Sequence, residues 1–383
     1  MPVRATKRGA ERSPLTGSAD VIVCGASFAG LAVARELAGH GADVLVLDRY
    51  EIGERQTSAC AAPTAWLEGL GLQSSILQTF PDLVIHTPLR TLRWDLPWSF
   101  STFDYRELCA LLWDACGDAR FETATVSGRS AGEAGGIVVH TDRGDLQAPL
   151  VVDALGWRRV LSTAPDAIQP PKATLSRGLE VHPAATGADF ELWLDPRYVP
   201  KGYSWAFPAG DEVRIGVGSF DPREHVRDPT VRLARDIGVP PDGFQGNWIP
   251  HKLRRATDDG VFFVGDSAGH CIPATAEGIR PAFYFGAICG RELAMVIAGR
   301  QARAQALERY DSRSEEKRYA YRSMLRAQRF VARATPYPLM TSVLEAAGGP
   351  RSVRRAFSRY GNIFPPPSPA AAGGGPERSR TIR

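Results

Sequence analysis

Four clusters of residues in this chain of 383 have the types and spacing to do chemistry. The first is Gly25-Ala26-Ser27-Phe28-Ala29-Gly30, which follows the apolar run Val21 to Cys24 and opens a helix pattern; a second apolar run then ends at Asp48-Arg49. Strand, glycine-rich turn, helix and a second strand closed by an acid make a dinucleotide-binding unit, in which helix-start N–H groups hold a pyrophosphate and the acid takes a ribose hydroxyl. Ser27 stands where such turns usually carry a second glycine, and its side chain is small enough for a phosphate to approach the backbone. The second cluster begins at Gly265, 240 positions after Gly25: Gly265-Asp266 ends an apolar run, Pro273 follows, and Gly278-Ile279 open a helix pattern from about Glu277 to Ala298. In the third, Asp104 and Glu107 are spaced much like a capping box, which leaves Arg106 in the first turn of a helix. The fourth is Tyr203, Trp205 and Phe207, ahead of Pro208. On a strand these aromatics share one face, either as a core layer, which composition favours, or as the wall of a hydrophobic cavity.

Positioning these clusters takes a sizeable core. The chain is 44% hydrophobic, enough for two closely packed domains. Only five of its 46 basic residues are lysines and the net charge is +4, which reads as a coding bias toward arginine rather than a nucleic-acid surface. Six scattered cysteines lack zinc or disulfide spacing and fit a reducing cytoplasm. Residues 1–18, polar with no apolar segment typical of a signal peptide, read as a disordered lead, no run of 18 apolar residues occurs, and the Pro/Gly-rich stretch 363–383 reads as a disordered tail. Residues 300–357 are arginine-rich and amphipathic, either a helical lid with a solvated basic face or a set of helices touching anionic lipid.

The order of these motifs resembles the geranylgeranyl reductase family, FAD enzymes of the para-hydroxybenzoate hydroxylase fold that saturate isoprenoid double bonds; Tyr203 to Pro208 matches its YxWxFP signature. The resemblance implies that FAD is contacted by Gly25 to Gly30, Asp48, Arg49, Val126, Asp266, Pro273, Gly278 and Ile279, with Arg106 reaching the pyrophosphate. It implies that Tyr203, Trp205, Phe207 and Pro208 line the substrate site. Cys60, in a short Cys-Ala segment after the second strand, matches a family cysteine that faces the flavin; a thiol there donates a proton if the site tunes its pKa, and the plainer reading is a small buried residue. The implied partners are a hydrophobic, polyprenyl-like substrate and an electron donor, NAD(P)H or a ferredoxin-like protein, for a cytoplasmic monomer with peripheral membrane contact.

The expected architecture is α/β. A discontinuous FAD-binding, Rossmann-like domain is built from residues 19–80, 103–160 and 250–298; an antiparallel substrate sheet from 81–102 and 161–249; and helices from 299–362. The alternative on the same fold is an oxygen-using hydroxylase or epoxidase. Flavin halogenases carry a similar WxWxIP element, but they need a lysine after the first flavin motif, and this chain has none between Lys7 and Lys172.

Overall fold

The computed structural model describes residues 12–56, 58–163, 175–333, 342, 344, 346 and 348–367. Most of the expected lead and tail, and Leu339, Met340 and Val343 of the amphipathic stretch, lie outside the described residues.

The chain begins with β1 (Gly17–Ser18), β2 (Val21–Cys24), α1 (Phe28–Leu37), β3 (Val44–Asp48), β4 (Ala61–Pro63) and α2 (Thr64–Gly69). A long hairpin, β5 (Ile76–His86) and β6 (Thr91–Phe103), leads into α3 (Tyr105–Asp114), β7 (Arg120–Thr123), β8 (Val126–Ala131), β9 (Ile137–Thr141), β10 (Gly144–Ala148) and β11 (Leu150–Asp153). Next come β12 (Leu175–Val181), β13 (Glu191–Trp193), β14 (Gly202–Ala209), β15 (Glu212–Ser219), α4 (Arg227–Ile237), β16 (Gln245–Pro250), β17 (Thr257–Asp258) and β18 (Val261–Phe263). Among the described residues, α5 (Ile279–Ile297), α6 (Arg303–Glu315), α7 (Arg318–Arg333) and α8 (Pro350–Gly361) follow.

Continuous apolar runs make strands buried on both faces. β2, β11 and β18 are wholly buried and, with β3, form the parallel centre of a six-stranded sheet ordered β17-β18-β11-β2-β3-β7. α1 packs on α5 beside this sheet, and the two glycine-containing turns open at the carboxyl ends of β2 and β18, which flank β11. The eight-stranded sheet, ordered β16-β12-β15-β14-β13-β5-β6-β4, is antiparallel except where β13 meets β5. One of its faces buries Val181, Ile215 and Val217 with Leu233 of α4, and the alternating positions are left for the site.

Several boundaries differ from expectation. Gly17–Ser18 pairs with β10, so order begins before residue 19. β4 and the first half of β5 join the eight-stranded sheet although they lie inside the segment expected for the nucleotide domain. β8, β9 and β10 form a separate small sheet with β1. Phe364, expected in the tail, is fully buried, its carbonyl accepting a bond from Trp66 Nε1 at 3.1 Å. Among the described residues no helix is long and apolar enough to cross a membrane.

Candidate active site

At the first turn, Gly25 has φ +113, and a Cβ on Gly30 would fall 1.8 Å from Gly25 O; these glycines let the chain double back tightly between β2 and α1. Asp48 ties the turn to β3, accepting from Ala26 N at 2.8 Å and Tyr50 N at 3.0 Å. Burial raises its pKa against the lowering effect of those two N–H groups. Ser27 begins α1 without a side-chain cap, and its Oγ accepts from Tyr105 OH at 3.1 Å. The first-turn amides of α1 therefore keep their capacity to bind an anion.

The second turn brings Asp266 to the same space, where desolvation raises its pKa to about 7. α5 starts at Ile279 with Gly278 as its uncapped N-terminal flank, so the positive end of a 19-residue helix opens toward Asp266. The loop between is held from two sides. Tyr203 OH donates to Thr275 O at 2.6 Å and Tyr360 OH to Thr275 Oγ1 at 2.9 Å. Arg280, 1% exposed, bonds both carboxylate oxygens of Glu277 at 2.7 and 2.8 Å, and its Nη1 donates to the carbonyls of Tyr360, Gly361 and Phe364 at the end of α8.

Between the turns and the eight-stranded sheet lies a cavity of about 930 Å³. Strand register sets its roof: Gln245, Glu180, Gly216, Trp205, Leu192 and Ile85 form one row across six neighbouring strands, polar at the β16 end and apolar at the β5 end. Tyr203, Trp205 and Phe207 all line the cavity, so the aromatic face is a wall rather than the core layer composition favoured. Phe207 stacks on Phe190, with centroids 3.8 Å apart and planes at 9°.

Ala26, Ser27, Phe28, Ala29, Asp48, Arg49, Val126, Asp266, Gly278 and Ile279 all reach the cavity wall. Gly25, Gly30 and Pro273 stand behind it and shape the turns. Three further expected residues do not reach it. Arg106 is exposed, because neighbouring helix positions point about 100° apart and Tyr105 takes the inward direction. Pro208 alternates away from Phe207, and its carbonyl accepts from Thr102 Oγ1 at 2.7 Å. Cys60 has φ +50, a turn of the backbone that leaves Ser58, Ala59 and Ala61 on the wall and sends the thiol into the core, fully buried, where desolvation raises its pKa well above the ordinary thiol value. Glu180, Gln245, Tyr105 and Phe190 are wall residues that no sequence motif marks.

Residues 20–77 match the family model for FAD dependent oxidoreductases. The fold is shared with a geranylgeranyl bacteriochlorophyll reductase-like protein from Thermoplasma acidophilum (TM-score 0.77, 17% identity, 91% of this chain and 98% of that one). It is also shared with a probable FAD-dependent monooxygenase from Pseudomonas aeruginosa (TM-score 0.67, 18% identity, 86% and 100%). In sequence it is 28% identical over 347 residues to a digeranylgeranylglycerophospholipid reductase of Methanocella arvoryzae, covering 78% of this chain and 83% of that one. Matches to the first four reductases of this name span a third to under half of their length, 34% to 44%.

The residues present fit FAD. The turn at Gly30 is too tight for a Cβ, the amides opening α1 face the cavity, and the Asp266 carboxyl, shielded from bulk water, calls for a hydrogen-bond donor such as a ribityl hydroxyl.

Proposed function

We propose that this protein saturates C=C bonds of an isoprenoid chain. The observation that carries the reading is the cavity wall beyond Trp205: Leu83, Ile85, Phe100, Phe190, Leu192 and Phe207 give an apolar channel that leads up to the two flavin turns. Such a surface binds hydrocarbon by excluding water and offers no group for recognising a small polar substrate. The digeranylgeranylglycerophospholipid reductases among its relatives support the same substrate class.

Ala26 to Ala29, Asp48, Arg49 and Val126 would hold the nucleotide half of FAD, and Asp266, Gly278 and Ile279 the ribityl and ring half. Reduced FAD supplies a hydride when bound. Tyr203, Trp205 and Phe207 would position the alkene beside the residues that hold the ring half. The electron donor is NAD(P)H or a ferredoxin-like protein. The face of α7 and α8 meets an anionic membrane surface: it carries five and four arginines with no acid, and Tyr319 and Phe330 are exposed. Co-flotation with anionic but not zwitterionic vesicles checks that contact.

The test of function is anaerobic. The flavin is reduced with dithionite, a panel of polyprenyl compounds is added, and flavin reoxidation and product mass are followed. Reoxidation with a gain of two hydrogens in the product is expected. Reoxidation only on admitting oxygen, with one oxygen gained, would assign the protein to the monooxygenases that share its fold.

A further inference from the structure

We propose that Glu180 is the proton donor to the substrate, with His182 holding the proton behind it; this assignment rests on the reductase reading above. Hydride addition to an alkene needs a proton at the neighbouring carbon, and Cys60 faces away from the cavity.

Glu180 is 4% exposed yet stands on the cavity wall, in the same row as Trp205. Its Oε2 accepts from Trp205 Nε1 at 3.2 Å. Its Oε1 accepts from Gln245 Nε2 and lies 3.1 Å from His182 Nε2. His182 Nδ1 is 3.6 Å from Glu212 Oε1, which accepts from Arg214 Nε at 2.8 Å. Arg214, 2% exposed, ends the row on the carbonyls of Ala59, Cys60 and Phe103. Four groups of alternating sign thus run from the clamped loop at Cys60 to the cavity wall. Burying such a row is costly, and the tie to the loop needs only Arg214 and Glu212; the part reaching the cavity asks for another explanation. Burial alone would lower the His182 pKa, but hydrogen bonds and charge from Glu180 and Glu212 raise it to about 9, so the ring holds a proton at neutral pH.

The other titratable wall groups near the aromatic face are engaged. Glu277 is held by Arg280 and Tyr360, and Tyr203 OH is spent on Thr275 O. The Cys271 thiol is raised well above its ordinary pKa by burial. Asp266 lies against the start of α5, in the turn that fits the ribityl chain.

In the proposed step the His182 Nε2 proton passes to Glu180 Oε1 and from it to one alkene carbon, where the π pair forms the C–H bond and Glu180 returns to the carboxylate. The hydride from reduced flavin forms the second C–H bond, and the flavin loses two electrons. His182, left neutral, is refilled from solvent.

The experiment uses FAD-loaded, dithionite-reduced protein in anaerobic single turnover with a polyprenyl that wild type accepts. E180Q keeps an acceptor for Trp205 but cannot take up the His182 proton and pass it on; it is expected to slow flavin reoxidation by about 100-fold or more while FAD content and polyprenyl affinity stay within about threefold. H182N is expected to remove the alkaline limb of the rate–pH profile. E180Q turning over within about threefold of wild type overturns the proposal and leaves the reductase reading standing. If wild type reduces no polyprenyl, that reading falls, and the row is judged by the ¹⁵N-indole resonance of Trp205, assigned with W205F. A titration abolished by both E180Q and H182N supports a proton held at the cavity wall; a flat resonance from pH 5 to about 10 overturns it.

Discussion

Trp205 reaches Glu180 across an intervening strand, its indole lying over Gly216 of β15 to place Nε1 3.2 Å from Glu180 Oε2. A Cβ at position 216 would fall 2.2 Å from Trp205 Cζ2. The bare backbone there is what lets an aromatic wall and a buried carboxylate share one row.

Gly216→Ala is therefore expected to lift the indole and break that bond, destabilising the protein by about 1–3 kcal/mol. FAD content should hold while polyprenyl reduction falls, as it should in Trp205→Ala. Urea unfolding and flavin absorbance measure the two effects separately; unchanged turnover in both variants would refute the role given to the indole.

Removing the Arg280 side chain leaves the Glu277 carboxylate with the Tyr360 hydroxyl but without its counter-ion, and takes the guanidinium donor from the carbonyls of Tyr360, Gly361 and Phe364. Arg280→Met is expected to cost about 3–5 kcal/mol, with Glu277→Gln added to it restoring part of the loss. Denaturant midpoints of the two single variants and the double variant close the cycle.

The charge row also makes stability depend on pH. The folded-state pKa of His182 is raised from 6.5 to about 9, so its contribution is full below 6.5 and is lost as pH rises through 9. Denaturant midpoints should fall between those values in wild type and flatten there in His182→Gln.

Cys60→Ala is expected to leave turnover within about threefold of wild type, because the thiol faces the core, and to cost about 1 kcal/mol of packing. Steady-state rates beside a thermal melt decide this; a large loss of rate at unchanged stability would return the thiol to the chemistry.

What could be read in the sequence was what is contiguous. Gly25 to Gly30 with Asp48, and Gly265 to Ile279, are local patterns whose chemistry follows from their neighbours, and period-two spacing put Tyr203, Trp205 and Phe207 on one face. Errors arose where a single torsion or one step along a helix sets direction: φ +50 turned Cys60 inward, and Tyr105 rather than Arg106 took the inward position. Glu180 and Gln245 were invisible because they meet only through the register of β12 with β16, 65 residues apart. The glycine under Trp205 had no meaning until the strand beside it was known.

The Phe364 carbonyl accepts from both Trp66 and Arg280, joining positions 298 residues apart. During synthesis, a chain that has emerged through residue 300 carries both glycine turns and most of the cavity wall, yet Arg280 still lacks the carbonyls of α8. Final closure of the loop beside the flavin must therefore wait until residue 364 has cleared the ribosome, so the order of translation delays maturation of the cofactor pocket behind folding of the sheets that carry it.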